Sequence, residues 1–159
     1  MSFTPKRESA FAILFFLLLP IYLFSQTIKG KVIRVADGDT ITILDSANNQ
    51  LRVRLYGIDA PEKGQDFGNV AKNFISDLCF SKTVSIDIKD IDRYGRTVGI
   101  VWTVDSINLN LELLRSGLAW HYKHFDNSDD LAQAEHLAKI NKVGLWKHPN
   151  ALPPCEFRS

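Results

Sequence analysis

Three charged segments of the sequence carry the residue types that phosphodiester hydrolysis requires. They are Asp37-Gly38-Asp39, the stretch from Arg54 to Glu62, and Asp92-Arg93-Tyr94-Gly95-Arg96. This reaction needs a base to deprotonate the attacking water and positive charge to stabilise the phosphoryl oxygens. Hard divalent cations and guanidinium groups both supply such charge. The sequence therefore offers the components of a metal-assisted hydrolytic site.

The carboxylates divide into candidate metal ligands and a candidate base. Asp39 and Asp59 can bind a hard cation through oxygen, joined by the backbone carbonyl near Ala60. Glu62 follows Asp59 closely and is the candidate general base. Charges this close together in a partly dry cleft are costly unless they are paired or bound to metal, which favours a functional interpretation.

The arginines are candidate phosphate ligands. Arg54 and Arg96 can each present a planar fork of N–H donors that matches phosphate oxygens. Arg52 alternates with Arg54 on the outward side of a strand, and we interpret it as a surface residue. Taken alone, the stretch Arg52–Glu62 is equally typical of an exposed edge strand followed by a polar turn. Asp37 is fully explained as a turn-forming residue.

The remaining sequence predicts the elements that position these residues. Period-two alternation predicts five strands, and 3.6-residue periodicity predicts three α-helices. The strands are Thr27–Ala36, Thr40–Leu44, Leu51–Ile58, Thr83–Ile91 and Thr97–Val104, and the helices are Gly68–Phe80, Asn108–Arg115 and one from Ser128 or Asp129 to near Gly144. This order predicts a mainly β, α+β domain, a five-stranded OB-fold barrel with three helices. A two-layer α+β sheet is the alternative.

The helical periodicity also predicts which side chains face the core. In the first helix these are Val70, Ala71, Phe74 and Leu78, and in the last helix Leu131, Ala134, Leu137 and Ala138. Asn108 is a suitable N-cap for the middle helix, and Gly117 a suitable residue just beyond its end.

Composition and the N-terminus suggest one exported domain. The chain has 159 residues, 45% hydrophobic and 23% charged, as expected for one globular domain. Lys6 and Arg7 precede an apolar run, Ala10 to Phe24, too short for a typical membrane span. Residues 1–26 are therefore interpreted as a signal peptide, with an uncleaved membrane anchor as the alternative, and residues 27–159 as the domain. We expect an exported, secreted or periplasmic protein.

The overall charge gives no sign of a polyanion-binding protein. Residues 1–26 carry Lys6, Arg7 and Glu8, and without them the 19 basic and 18 acidic residues become equal in number. Affinity for a polyanion would have to come from a local patch or a metal ion. No segment implies a stable protein partner, and we expect a monomer.

Cys79 and Cys155 are the only cysteines. In an exported protein they are candidates for a disulfide. Cys79 lies on the apolar face of the first helix, so a buried, inert thiol is the other interpretation. Their spacing is not that of a zinc site.

The charged segments also resemble the three signature blocks of the staphylococcal nuclease (thermonuclease) family. The matching blocks are Val35–Thr40, Arg54–Glu62 and Asp92–Arg96, and Gly144–Trp146 resembles the closing segment of the family. The resemblance extends over roughly residues 28–158 and implies an OB-fold domain. It also implies a calcium-dependent nuclease that cleaves DNA and RNA with little sequence preference and leaves 3′-phosphates.

The resemblance assigns roles to individual residues. It implies Asp39 and Asp59 as calcium carboxylates, Ala60 as the carbonyl ligand, Arg54 and Arg96 as phosphate-binding arginines, and Glu62 as the general base. All five charged residues are present and in order, which favours catalysis over the alternative, a non-catalytic OB module that binds single-stranded nucleic acid or a protein.

The aromatic substrate contacts are assigned less directly. Tyr94 lies within its motif and is a candidate to stack on a base, with Tyr122 as a second substrate-binding candidate. Trp120 is a further candidate, for which packing in the domain is the favoured interpretation. The loop Lys63–Phe67 is short and has one lysine, unlike the longer, lysine-rich loop of the founding family member, so substrate affinity is expected to differ.

Overall fold

A computed structural model describes residues 26–158. In this range the chain forms β1 (Thr27–Asp37), β2 (Thr40–Asp45), β3 (Gln50–Leu55), β4 (Ile58–Asp59), α1 (Gly68–Cys79), β5 (Thr83–Ile91), β6 (Thr97–Thr103), α2 (Leu109–Arg115), β7 (Trp120–His121), α3 (Asp129–Ile140), a 3-10 helix (Gly144–Lys147) and α4 (Pro154–Phe157). The signal peptide and the anchor were predicted for residues that lie, but for Gln26, outside the described range. No helix among residues 26–158 is long and apolar enough to cross a membrane.

Five strands close into a barrel in the order β1-β2-β3-β6-β5, with β5 returning to β1. The pairs are antiparallel except for β3 and β6, which run parallel. The barrel is filled by alternating apolar side chains, including Val32, Ile41, Val53, Ile86 and Val101, all 0% exposed. This confirms the predicted OB-type barrel, because period-two alternation buries one face of each strand.

The predicted third strand, Leu51–Ile58, extends further than the observed strand β3. The observed strand ends at Leu55, since Gly57 adopts a φ of 73° and turns the chain. The chain then forms β4, which pairs with β7 outside the barrel. Asp59 consequently lies on a short strand held against Trp120, whereas the sequence predicted a turn.

The helices have the predicted order, but two of their predicted core residues are exposed. Val70 and Leu137 are 51% and 49% exposed, while Ile75 and Cys79 are fully buried. In α2 the Asn108 side chain accepts a hydrogen bond from the Leu111 N–H, which confirms the predicted cap. The C-terminal α4 was not predicted.

Both cysteines are free thiols. Cys79 is buried in α1 and its thiol donates to the Ile75 carbonyl, 3.1 Å away, whereas Cys155 is exposed. Of the two interpretations of Cys79, the buried thiol is the one seen in the structure. Burial raises its pKa to about 12, as expected for an inert thiol.

Candidate active site

Arg54 joins the two candidate metal ligands. It lies near the end of β3, where its neighbours Val53 and Leu55 face the core and direct its side chain to the opposite side. Its Nη2 atom lies 2.7 Å from Asp59 Oδ1 and 3.1 Å from Asp39 Oδ2, and Nη1 lies 3.3 Å from Asp39 Oδ1. Residues from β3, the β1–β2 turn and β4 therefore meet at one guanidinium.

Backbone contacts fix the position of Asp39. The Leu55 N–H donates to its carbonyl at 2.9 Å, and the Ala60 N–H donates to its Oδ2 at 3.0 Å. The preceding Gly38 permits this geometry, because a Cβ there would lie 2.8 Å from Ala60 Cβ and 2.7 Å from Ala71 Cβ. The turn thus packs directly against α1 and the Asp59–Ala60 segment.

The two carboxylates are buried, with Asp39 4% and Asp59 3% exposed. Burial raises the pKa of Asp39 to about 7, which the Arg54 guanidinium opposes and the carboxylates of Asp37 and Asp59 reinforce. The Asp37 Oδ1 atom is buried without a hydrogen-bond partner. The ionised form of Asp39 is therefore costly unless further positive charge compensates for its burial.

This environment fits a hard cation. Two adjacent buried carboxylates and an unpartnered carboxylate oxygen provide the oxygen donors that calcium prefers, and calcium takes further ligands from carbonyls, water or phosphate. Within residues 26–158 no group of three or more His, Cys, Asp or Glu side chains forms a metal-binding cluster. Asp39 and Asp59 would be the protein carboxylates that hold the ion, and the Ala60 carbonyl ligand stays a prediction.

Arg96, the second candidate phosphate ligand, lies in the turn between β5 and β6. The Asp92 carboxylate accepts the backbone N–H groups of Tyr94 and Arg96, each at 2.9 Å, and the Arg96 Nε–H at 2.7 Å. Burial opposes ionisation of Asp92, but these hydrogen bonds outweigh it and lower its pKa. The Asp92 carboxylate therefore orients the Arg96 side chain.

One cleft of about 640 Å³ is lined by the predicted catalytic and substrate-binding residues. Its walls include Arg54, Glu62, Tyr94, Arg96 and Tyr122, which come from separate parts of the chain. The two candidate metal ligands do not line the cleft themselves but contact Arg54, which does. Trp120 packs edge-to-face on Trp146, with ring centroids 5.4 Å apart. The structure therefore brings the predicted catalytic and substrate-binding residues together and places Trp120 in packing.

Several known proteins are similar in sequence to this chain. Residues 52–148 match the model of the family described as staphylococcal nuclease homologue. The chain belongs to this family. An uncharacterized endonuclease of Haemophilus influenzae is 40% identical over 128 residues, covering 80% of this chain and 71% of that protein. An uncharacterized endonuclease of Escherichia coli O157:H7 is 38% identical over 145 residues (88% and 94%), and a micrococcal nuclease of Shigella flexneri is 39% identical over 141 residues (82% and 80%).

Two residues of this staphylococcal nuclease homologue were missed as site residues by sequence reasoning. Asp37 was interpreted as a turn residue, yet its carboxylate adds to the charge around Asp39. Arg158 was not considered, although its guanidinium contacts Asp59 and Glu62. Its position in the C-terminal tail, 99 residues after Asp59, gave no local pattern that would connect it to the site.

Proposed function

We propose that the protein is a calcium-dependent nuclease that hydrolyses DNA and RNA with little sequence preference. The observation that supports this most is the convergence of Arg54 on Asp39 and Asp59, at a cleft that also holds Glu62 and Arg96. The printed names of the relatives, endonuclease and micrococcal nuclease, agree with this reaction class. Membership of the staphylococcal nuclease homologue family supplies the expectation of calcium and of 3′-phosphate products.

Calcium, when bound by Asp39 and Asp59, would supply positive charge that stabilises the phosphoryl oxygens. Glu62 would accept a proton from the attacking water. Its side chain is 32% exposed and lines the cleft, so water reaches the carboxylate. General-base catalysis of this kind contributes roughly 10²–10⁴-fold.

The two predicted arginines would bind the phosphate from different sides. Arg96 gives its Nε–H to Asp92, and its terminal Nη groups are the donors that would meet phosphate. Arg54 is 19% exposed and contacts both buried carboxylates, so it would connect the metal ligands to the phosphate. Because neither arginine reads a base, these contacts support weak sequence preference.

Aromatic residues would hold the bases. Tyr94 is 66% exposed and Tyr122 lines the same cleft. A stacked base contributes about 1–3 kcal/mol and tolerates any base, because every base has a π-face. Stacking favours unpaired strands, whether DNA or RNA.

The activity test uses end-labelled single-stranded DNA and RNA, with calcium or with a chelator in excess. We expect cleavage of both substrates with calcium, products that carry 3′-phosphates, and no cleavage with chelator. Glu62→Gln is expected to bind the oligonucleotide and leave it intact. Cleavage that persists in chelator or in Glu62→Gln would contradict the mechanism, and binding without cleavage by the native protein would favour a non-catalytic module.

We also propose that the protein is exported, on the basis of the signal-like residues 1–26. N-terminal sequencing of the protein recovered outside the cytoplasm distinguishes the two predicted forms. A start near Thr27 indicates a cleaved signal peptide, and an intact N-terminus indicates a retained anchor.

A further inference from the structure

The C-terminal segment places a guanidinium on the candidate metal site. Arg158 Nη2 lies 2.9 Å from Asp59 Oδ2, and Nη1 lies 3.4 Å from Asp59 Oδ1. Nη1 also donates to Glu62 Oε1. One arginine near the end of the chain therefore contacts both a candidate calcium ligand and the candidate general base.

The segment that carries Arg158 is anchored at its start and exposed to solvent at its end. Pro154 is buried, and the Gln65 side chain links the active-site loop to the tail: its Oε1 accepts from the Glu62 N–H at 3.0 Å, and its Nε2 donates to the Leu152 carbonyl at 2.6 Å. Phe157 is 43% exposed, and the Arg158 side chain is 41% exposed. Moving Arg158 away from Asp59 would therefore uncover little apolar surface.

The guanidiniums of Arg54 and Arg158 already occupy both carboxylate oxygens of Asp59. Its Oδ1 lies 2.7 Å from Arg54 Nη2, and its Oδ2 lies 2.9 Å from Arg158 Nη2. A divalent ion on Asp59 would lie close to both guanidiniums, and like charges a few ångströms apart repel strongly where water is largely excluded. Displacement of one guanidinium relieves this repulsion.

Arg158 is the guanidinium that can leave. Arg54 is 19% exposed, contacts two buried carboxylates and lies in a barrel strand. Arg158 is more exposed, its contacts involve one buried carboxylate, and it follows a helix of only four residues. Withdrawal of Arg158 into water therefore costs less than withdrawal of Arg54.

We propose that Arg158 is a tethered counter-ion of the metal site: it occupies Asp59 in the metal-free protein, and a divalent cation binds Asp59 in competition with it. This inference rests on the calcium site of the proposed function. The competition makes cation binding weaker than the carboxylates alone would allow, and it couples cation binding to a movement of the C-terminal segment.

Calorimetric titration of calcium into the intact protein tests the competition directly. We expect Arg158→Gln to bind calcium about tenfold more tightly than the native protein, a change equivalent to about 1.4 kcal/mol. Arg115→Gln is the matched control, because Arg115 pairs with Glu112 on the exposed surface of α2 and removing it changes the net charge equally. We expect its calcium affinity to equal that of the native protein.

A probe on the tail measures the movement independently of catalysis. Cys155 is exposed in α4 and Cys79 is buried, so an environment-sensitive fluorophore can be attached to Cys155 alone. Calcium is expected to change its emission in the native background, with a midpoint that matches the calorimetric affinity. In Arg158→Gln the change is expected to be largely lost, because the tail is already released.

The outcomes separate this inference from the proposed function. Equal or weaker calcium binding by Arg158→Gln, with clear binding by the native protein, overturns the competition and leaves the nuclease assignment standing. Absence of calcium binding by both proteins overturns the calcium site and this inference together. Tighter binding by Arg115→Gln to the same extent would reduce the effect to net charge and would also overturn it.

Discussion

Arg54 Nη2 and Asp59 Oδ1 lie 2.7 Å apart, although Arg54 belongs to the barrel and Asp59 to the short strand β4 outside it. This ion pair connects the two sheets at the candidate metal ligands. The same guanidinium lies 3.1 Å from Asp39 Oδ2, so Arg54 contacts both candidate metal ligands.

The first prediction separates the charge of Arg54 from its geometry. Arg54→Lys keeps the positive charge but loses the fork that spans Asp39 and Asp59. We expect the variant to fold and to lose about 10²–10³-fold in kcat, the usual effect of removing one donor to transition-state charge. Arg52→Lys, on the exposed side of the same strand, is the control and is expected to keep native activity. A native rate in Arg54→Lys would show that its fork does not bind the phosphate.

The sequence predicted this part of the site because its signals are local. Arg54, Asp59 and Glu62 lie within one short stretch, and the alternation around Val53 and Leu55 predicted the direction of Arg54. Closure of the barrel then brought Arg96 to the same cleft, which follows from the predicted strand order.

What the sequence did not predict depends on tertiary contacts. Arg158 reaches Asp59 because Pro154 and Gln65 anchor the tail. The hydrophobic periodicity of the sequence does not indicate such contacts. Val70 and Leu137 satisfied a helical period but are exposed, because the surface that each helix packs against determines which apolar residues are buried. The strand β4 depends likewise on β7, more than sixty residues later.

The second prediction concerns the carboxylates as metal ligands. Asp59→Asn preserves shape but removes the charge that a hard cation requires. We expect calcium affinity, measured by calorimetry, to fall at least about tenfold, equivalent to 1.4 kcal/mol, with a parallel loss of cleavage. Asp105→Asn, in an exposed turn, is expected to bind calcium as the native protein does. Equal affinity in the two variants would remove Asp59 from the metal site.

The third prediction is a pH dependence that arises at the Asp92 turn. The pKa of Asp92 is lowered in the folded protein, because its hydrogen bonds to Arg96 and Tyr94 outweigh burial. Its contribution to stability is therefore fully present above its unfolded pKa of about 3.9 and is lost as pH falls through the lower folded value.

Urea unfolding of Asp92→Asn and of the native protein across this range measures the effect. We expect the variant to be less stable at neutral pH, and the difference in the free energy of unfolding to shrink as the solution is acidified. Asp105→Asn serves again as an exposed control. A difference that stays constant below pH 4 would contradict the assignment to the Asp92 charge.

The fourth prediction follows from the different environments of the two thiols. Cys79 is 0% exposed and burial raises its pKa to about 12, whereas Cys155 is exposed. A thiol reagent at neutral pH is therefore expected to modify one cysteine in the native protein and two in denaturant. Cys155→Ala is expected to abolish the native reaction. Failure of both cysteines to react in denaturant without reductant would indicate a disulfide in place of two free thiols.

The fifth prediction assigns a base contact to Tyr94. The ring is 66% exposed, and the guanidiniums of Arg93 and Arg96 lie 4.9 and 5.5 Å from its centroid. Tyr94 therefore lies beside Arg96, a candidate phosphate ligand. Fluorescence anisotropy with a short single-stranded oligonucleotide measures the contact, in a Glu62→Gln background with calcium so that the substrate stays intact. Tyr94→Ala is expected to weaken binding by about 1–3 kcal/mol, the value of one stacked base. Tyr94→Phe keeps the aromatic face and is expected to bind normally, because stacking requires the ring alone. If Tyr94→Ala binds as well as Tyr94→Phe, the base lies elsewhere, and Tyr122→Ala becomes the variant expected to lose affinity.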